Sequence, residues 1–111
     1  MSARDLSLAG FRVLVVEDEY LVAREIRRVL AGAGSADVRL AASLAEAESL
    51  AGTDDLDAVL LDIKLGVDAV YPLAERLDRR GMPVVFVTGY ATEVVPPHLD
   101  HLPVLQKPFQ Y

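Results

Sequence analysis

The chain has 111 residues, 52% of them hydrophobic and 25% charged, which is typical of one folded domain and excludes an intrinsically disordered chain. Its formal net charge of −6 disfavours direct binding to nucleic acid or an anionic membrane, and its lack of cysteine excludes disulfides and favours the cytoplasm. No apolar run reaches the roughly 18 residues of a membrane span, and the N-terminus lacks the apolar core of a secretory signal.

Five β-strands are predicted. Three of them are short runs without polar residues, at 13–16 (VLVV), 58–61 (AVLL) and 84–87 (VVFV). Because apolar and polar residues do not alternate there, these strands are expected to be buried on both faces, as in a parallel sheet covered by helices. The alternation around Val38 and Leu40 predicts an edge strand, and Val104 and Leu105 predict a fifth strand.

Three helices are predicted between the first four strands, at residues 19–31, 43–52 and 69–80. The first places its apolar residues on one face. The second opens with the capping-box sequence SLAE, and Gly81 ends the third. Pro72 is expected in the first turn of the third helix, where a backbone amide has no intrahelical partner.

This alternation of strands and helices predicts a doubly wound parallel α/β sheet in a single domain that spans residues 1–111. The segment after the fourth strand departs from the pattern. It contains Pro96, Pro97 and Pro103, and two adjacent prolines cannot lie inside a regular helix. We therefore expect a short turn and an irregular loop in place of a regular fourth helix.

Polar residues follow the strands at their carboxyl ends, where open α/β sheets bind ligands. They are Glu17 and Asp18 after the first strand, Asp62 at the end of the third, Thr88 and Gly89 after the fourth, and Lys107 and Pro108 after the fifth. Three carboxylates held together repel one another, and a hard divalent cation such as Mg²⁺ relieves that repulsion. A carboxylate can also attack phosphorus, and the transferred group then needs a cation and hydroxyl or amide donors around it.

Four motifs, VLVVEDE, LLDIKL, FVTGY and KPF, resemble in sequence and order those of response-regulator receiver domains, the CheY-like family with flavodoxin topology. The resemblance covers residues 11–109. It implies the strand order 2-1-3-4-5 and makes Asp62 the phosphoacceptor for a phosphohistidine of a sensor histidine kinase or histidine phosphotransfer protein. It also implies a signalling protein of a two-component system or phosphorelay rather than a turnover enzyme.

The same resemblance assigns a metal site. Asp18 and Asp62 are expected to bind Mg²⁺ or Mn²⁺ directly, together with the backbone carbonyl of Lys64. Glu17 is expected to act through a water molecule.

The resemblance also assigns the contacts of the phosphoryl group. Thr88, the amide of Gly89 and Lys107 are expected to bind it, and the bond before Pro108 is expected to be cis and to aim the lysine at the site. Many receivers carry a switch aromatic residue where this chain has Val104. We hypothesise that Tyr90 takes that part, and the alternative is that its ring only covers the loop.

The FVTGY segment further resembles stand-alone alphaproteobacterial receivers marked by a Phe-Ala-Thr-Gly-Gly/Tyr stretch. Val87 replaces the alanine of that stretch. Two other functions stay open: a pseudo-receiver, which is not phosphorylated and acts as a dimerisation or scaffold module, and a phosphohydrolase. The hydrolase is disfavoured because Lys64 stands where such enzymes commonly place a general-acid aspartate.

The end of the sequence and a pair of histidines carry two more expectations. Receivers normally close with a fifth helix after KPF, whereas this sequence stops at Tyr111. We therefore expect the fifth helix to be missing and either a longer natural chain or a homodimer that covers the exposed face. His98 and His101 could belong to a transition-metal site, although solvated side chains are the simpler interpretation.

Overall fold

The computed structural model describes residues 11–32, 37–52, 55–63, 67–89 and 95–106. The strands are β1 (Arg12–Val16), β2 (Asp37–Ala41), β3 (Ala58–Asp62), β4 (Val84–Thr88) and β5 (Val104–Gln106). The helices are α1 (Tyr20–Gly32), α2 (Leu44–Ala51) and α3 (Val67–Arg79). All five predicted strands and all three predicted helices are therefore confirmed, with ends that differ by one or two residues.

The five strands are parallel and form one sheet in the order β2-β1-β3-β4-β5, as predicted. Val15 of β1, for example, pairs with Leu40 of β2 on one side and with Leu60 of β3 on the other. Because parallel strands all point the same way, the carboxyl ends of β1, β3 and β4 lie at one edge of the sheet. This edge is where doubly wound sheets place their ligands.

Both faces of the central strands are buried, which explains why their sequences do not alternate. Leu14 and Phe86 are fully buried in the cluster that α2 and α3 cover. Val15 and Val87 point to the opposite face and pack with Ile26 of α1. Burial of each such side chain stabilises the fold by about 1.5–3 kcal/mol, so the strand ends are carried on a well-packed layer.

Helix α2 begins at the predicted capping box. The backbone N–H of Glu46 donates a 3.2 Å hydrogen bond to Oγ of Ser43, and Oε2 of Glu46 accepts one of 3.4 Å from the amide of Ala42. The first bond satisfies an amide that has no partner within the first helical turn, and the second reaches the residue before the N-cap Ser43. The capping box therefore sets where β2 ends and α2 begins.

Helix α3 corrects one prediction. It begins at Val67, two residues before the predicted start, so Pro72 lies inside the helix and not in its first turn. Such a proline costs about 3 kcal/mol, but Leu73 and Leu77 on the same helix are almost fully buried and offset the cost. The helix ends as predicted, because Gly81 adopts a left-handed conformation with φ of 79°.

The edge strand β2 is covered in part by a side chain of α1. The amide of Asp37 and the carbonyl of Ala41 bond toward β1, so Val38, which alternates with them, directs its carbonyl away from the sheet. Nη2 of Arg27 donates a 2.8 Å hydrogen bond to that carbonyl. This bond gives an otherwise open edge group a partner within the chain.

The acidic turn before β3 lies at the amino ends of the strands, opposite Asp62. Oδ2 of Asp55 lies 3.0 Å from Nη2 of Arg39 and 3.7 Å from Nη1 of Arg12. The charge of Asp55 and its hydrogen bond raise the pKa of the Arg39 guanidinium above its ordinary value. This acid therefore ties the turn to the sheet.

The connection between β4 and β5 contains a single 3-10 turn, Pro97–Leu99, within its described part, residues 95–103. Leu99 and Leu102 are buried in the cluster that α3 covers. The prediction of a short turn is confirmed for these residues, whereas residues 90–94 and the expected absence of a fifth helix lie outside the described residues. Among the described helices, none is long and apolar enough to cross a membrane.

Candidate functional site

Three carboxylates meet at the carboxyl edge of the sheet. Glu17 and Asp18 continue the chain from β1, and Asp62 is the last residue of β3. One ligand oxygen from each of the three lies within 4.8 Å of the other two. The predicted convergence of these acids is therefore confirmed, and it follows from the pairing of β1 with β3.

The three acids differ in their burial. Glu17 and Asp62 are buried, at 3% and 1% exposure, whereas Asp18 is exposed to solvent. The cluster, here called the acidic pocket, is thus open to solvent at Asp18. Burial of this kind makes each additional negative charge costly unless a cation is close.

Backbone hydrogen bonds position Glu17. Its own N–H donates a 2.9 Å bond to the carbonyl of Ala41 in β2, and its Oε1 accepts a 3.1 Å bond from the amide of Glu19. The first bond extends the ladder between β1 and β2 past the end of β1. The second bond fixes the orientation of the carboxylate, and no motif in the sequence indicates it, although an amide two residues later is within local reach.

Thr88 ends the neighbouring strand β4 and is buried, at 3% exposure. In the register of the sheet, Asp62 pairs with Val87, so Thr88 lies one position beyond that pair. Gly89 follows on the exposed side, and a Cβ built on it meets no atom within 4 Å. The hydroxyl of Thr88 and the uncrowded backbone of Gly89 therefore lie next to the strand that carries Asp62.

Four of the predicted site residues lie outside the described residues. They are Lys64, Tyr90, Lys107 and Pro108. Their roles in metal binding, switching and charge balance, and the cis bond before the proline, stay predictions.

The donor set fits a hard divalent cation. The three acids offer oxygen ligands only, and two of them are held on rigid strand ends, which suits Mg²⁺ with its preference for a few carboxylates and several waters. Among the described residues, no other group of three or more histidines, cysteines or acids converges in this way. His98 and His101 each lie beside one carboxylate of α3, and their interpretation as transition-metal ligands stays an untested hypothesis.

A parallel sheet in the order 2-1-3-4-5 with an acidic pocket at its carboxyl edge defines an α/β protein of the flavodoxin-like class. The family model of the response regulator receiver domain matches residues 13–110. The chain belongs to this family, and the resemblance seen in its four motifs is confirmed.

Solved structures agree with this assignment. The solution structure of SdrG from Sphingomonas melonis is similar with a TM-score of 0.78 and 33% identity, over 99% of this chain and 89% of that one. A response regulator from Burkholderia pseudomallei, solved with a phosphorylated aspartic acid, a calcium ion and citrate, is 30% identical with a TM-score of 0.73, over 90% of this chain and 61% of that one. The PhyR stress response regulator is 31% identical over 96% of this chain and 42% of its own, with a TM-score of 0.73. No curated protein sequence matches significantly.

Proposed function

We propose that this receiver domain is a phosphorylation switch, in which Asp62 accepts a phosphoryl group from a phosphohistidine of a sensor kinase or phosphotransfer protein. The observation that carries the proposal is the convergence of Asp62 with Glu17 and Asp18 at the end of the central strands. The Burkholderia pseudomallei relative with a phosphorylated aspartic acid supports it.

The transfer needs little covalent chemistry from the protein. A carboxylate oxygen of Asp62 attacks phosphorus, the phosphorus–nitrogen bond breaks, and its electron pair returns to the imidazole of the donor, which takes up a proton from solvent. The hydroxyl of Thr88 donates a hydrogen bond to a phosphoryl oxygen. Because the protein contributes mainly by positioning the reacting groups, the carboxylate of Asp62 has to be held in a fixed place. Its position at the end of β3 achieves this.

The acids also define the metal site of this proposal. Asp18 and Asp62 would hold Mg²⁺ directly, and the family resemblance implies that Glu17 would act through water and that the carbonyl of Lys64 would complete the set. The bound ion supplies positive charge that neutralises the carboxylates and the transferring phosphoryl oxygens.

The output of the switch is a protein–protein contact or onward transfer of the phosphoryl group in a phosphorelay. The net charge of −6 supports this output over contact with nucleic acid or membrane, and the lack of cysteine fits the proposed cytoplasmic location. Similarity to SdrG supports the proposed place among stand-alone receivers. The chain is not a turnover enzyme in this proposal, since it catalyses only its own phosphorylation and dephosphorylation.

Intact-protein mass spectrometry with Mg²⁺ and acetyl phosphate tests the proposal. We expect a single phosphoryl adduct that is lost in Asp62→Ala and kept in Asp100→Ala, a matched change at an exposed acid far along the chain. No adduct under any condition would identify a pseudo-receiver. Catalytic release of phosphate from a phosphate monoester, which cannot serve as a receiver's phosphodonor, would identify a hydrolase.

A second proposal is that the chain acts as a homodimerisation module, and one observation favours it. On the α1 face of the sheet, a small apolar groove of about 50 Å³ is lined by Ile26, Val29, Leu30, Leu60 and Leu105. Leu105 of the edge strand β5 is 44% exposed. Light scattering in non-denaturing solution distinguishes the two states, and a monomer that stays monomeric after phosphorylation would exclude the dimer.

A further inference from the structure

Two histidines on the β4–β5 connection face two carboxylates on α3. Nε2 of His98 lies 3.4 Å from Oε2 of Glu75, and Nε2 of His101 lies 2.8 Å from Oδ2 of Asp78. The two histidines are three residues apart in the chain, and so are the two acids. Side chains three apart on a helix are neighbours on its surface. The two contacts therefore lie side by side along α3.

Other interactions hold both partners of these contacts in place, on the connection and on α3. Beneath it, Leu99 and Leu102 are 1% and 8% exposed, so the same short segment is also anchored in the core. On the helix, Arg79 bonds to the other carboxylate oxygen of Glu75, which leaves Oε2 turned toward His98. The carboxylate is therefore oriented before the histidine meets it.

Either contact alone is weak. The four side chains are between 33% and 57% exposed, and pairs at such exposure contribute little because water competes for both groups. Two contacts on one anchored segment differ from two isolated ones, since forming the first already restrains the second. Cooperation between them is thus the property to measure.

We propose that His98 with Glu75 and His101 with Asp78 form a two-point clamp that holds residues 95–102 on α3, whatever the state of the acidic pocket. The claim that the clamp does not depend on the state of the acidic pocket rests on the proposed function. β4 carries Thr88 at its end, and the clamp holds part of the connection that follows this strand in the chain. A partner that distinguishes the phosphorylated form then recognises a surface outside residues 95–102.

Amide hydrogen exchange of the unphosphorylated protein tests the clamp itself. We expect peptides covering residues 95–102 to exchange about three- to tenfold faster in His98→Ala/His101→Ala, and by less than the product of the two single effects, because each single change also removes the cooperation between the contacts. The control His98→Gln/His101→Gln keeps a donor at each place and should stay within about twofold of the native rate. Unchanged exchange in the double alanine variant, or two strictly multiplicative effects, would overturn the proposal.

Beryllofluoride with Mg²⁺, a mimic of the phosphoryl group, tests whether the clamp holds regardless of the state of the acidic pocket. Exchange of residues 95–102 should stay the same on its addition to the native protein and change in the double alanine variant. A change of equal size in both proteins would overturn the clamp. Failure of the proposed function has a different signature, because beryllofluoride would then leave every peptide unchanged, and the first experiment would still decide whether the clamp exists.

Discussion

The backbone amide of Glu19 donates a 3.1 Å hydrogen bond to Oε1 of Glu17. This bond links the residue before α1 to Glu17, one of the two buried members of the acidic cluster, and it occupies one oxygen of that carboxylate. The carboxylate of Glu19 itself does not belong to the cluster, whereas that of Asp18 does. Three consecutive acids therefore have three different environments, which supplies a control for the metal site.

Asp18→Asn should remove most of the stabilisation by Mg²⁺. A ligand that binds only the folded state at 100-fold above its Kd stabilises it by about 2.7 kcal/mol, and Mg²⁺ should therefore raise the Tm of the native protein. Loss of one direct ligand weakens binding and shrinks that rise. Thermal unfolding with and without Mg²⁺ measures it.

Glu19→Gln is the matched control, because it changes the neighbouring carboxylate and keeps the amide that holds Glu17. It should retain the full rise in Tm. An equal loss in both variants would mean that Mg²⁺ acts through general charge and not through the acidic cluster.

Thr88→Val should slow phosphorylation by acetyl phosphate by about 100-fold, because a buried donor to the transferring oxygens is lost while the side chain keeps its shape. Thr88→Ser keeps the hydroxyl and should retain most of the rate. The time course of the phosphoryl adduct by mass spectrometry gives both rates. Equal rates in the valine and serine variants would exclude a role for the hydroxyl.

Gly81→Ala should lower the free energy of unfolding by about 1 kcal/mol, because φ of 79° is unfavourable for any residue with a Cβ. No atom lies within 4 Å of the added Cβ, so the cost is purely conformational. Gly52→Ala is the control, since Gly52 has φ of −72° and alanine fits there at ordinary contact distances. Urea titrations compare the two, and equal destabilisation would contradict the argument.

Phe86→Ala should lower the free energy of unfolding by about 3–5 kcal/mol. The ring is fully buried on β4 and meets the ring of Tyr71 edge-on, with centroids 5.6 Å apart. Val104→Ala, at the residue that pairs with Phe86 on β5 but is 46% exposed, should change it by less than about 0.5 kcal/mol. A loss below 1 kcal/mol for Phe86→Ala would show that this face of the sheet is loosely packed.

The sheet and the acidic cluster could be predicted because they depend on local patterns. A run such as VVFV has few alternatives to a buried strand, and parallel strands necessarily bring Glu17, Asp18 and Asp62 to one edge. The start of α3 could not be located, because tolerance of Pro72 depends on how much the opposite face of the helix buries. Local sequence does not contain that information.

The contacts of His98 and His101 could not be predicted for a related reason. His101 and Asp78 are 23 residues apart, and their meeting depends on how the β4–β5 connection crosses α3. No periodicity in either segment indicates it. By contrast, the Ser43–Glu46 capping box is a contact within one helical turn, and its sequence predicts it directly.

The hydrogen bond from Arg27 to the carbonyl of Val38 makes the two borders of the sheet unequal toward other molecules. On β2, a foreign strand must first displace a charged side chain. On β5, Val104 and Leu105 are 46% and 44% exposed on a three-residue strand. Self-association into intermolecular β-structure, during refolding or at high concentration, should therefore start from β5, and a lysine in place of Val104 is the substitution that would block it.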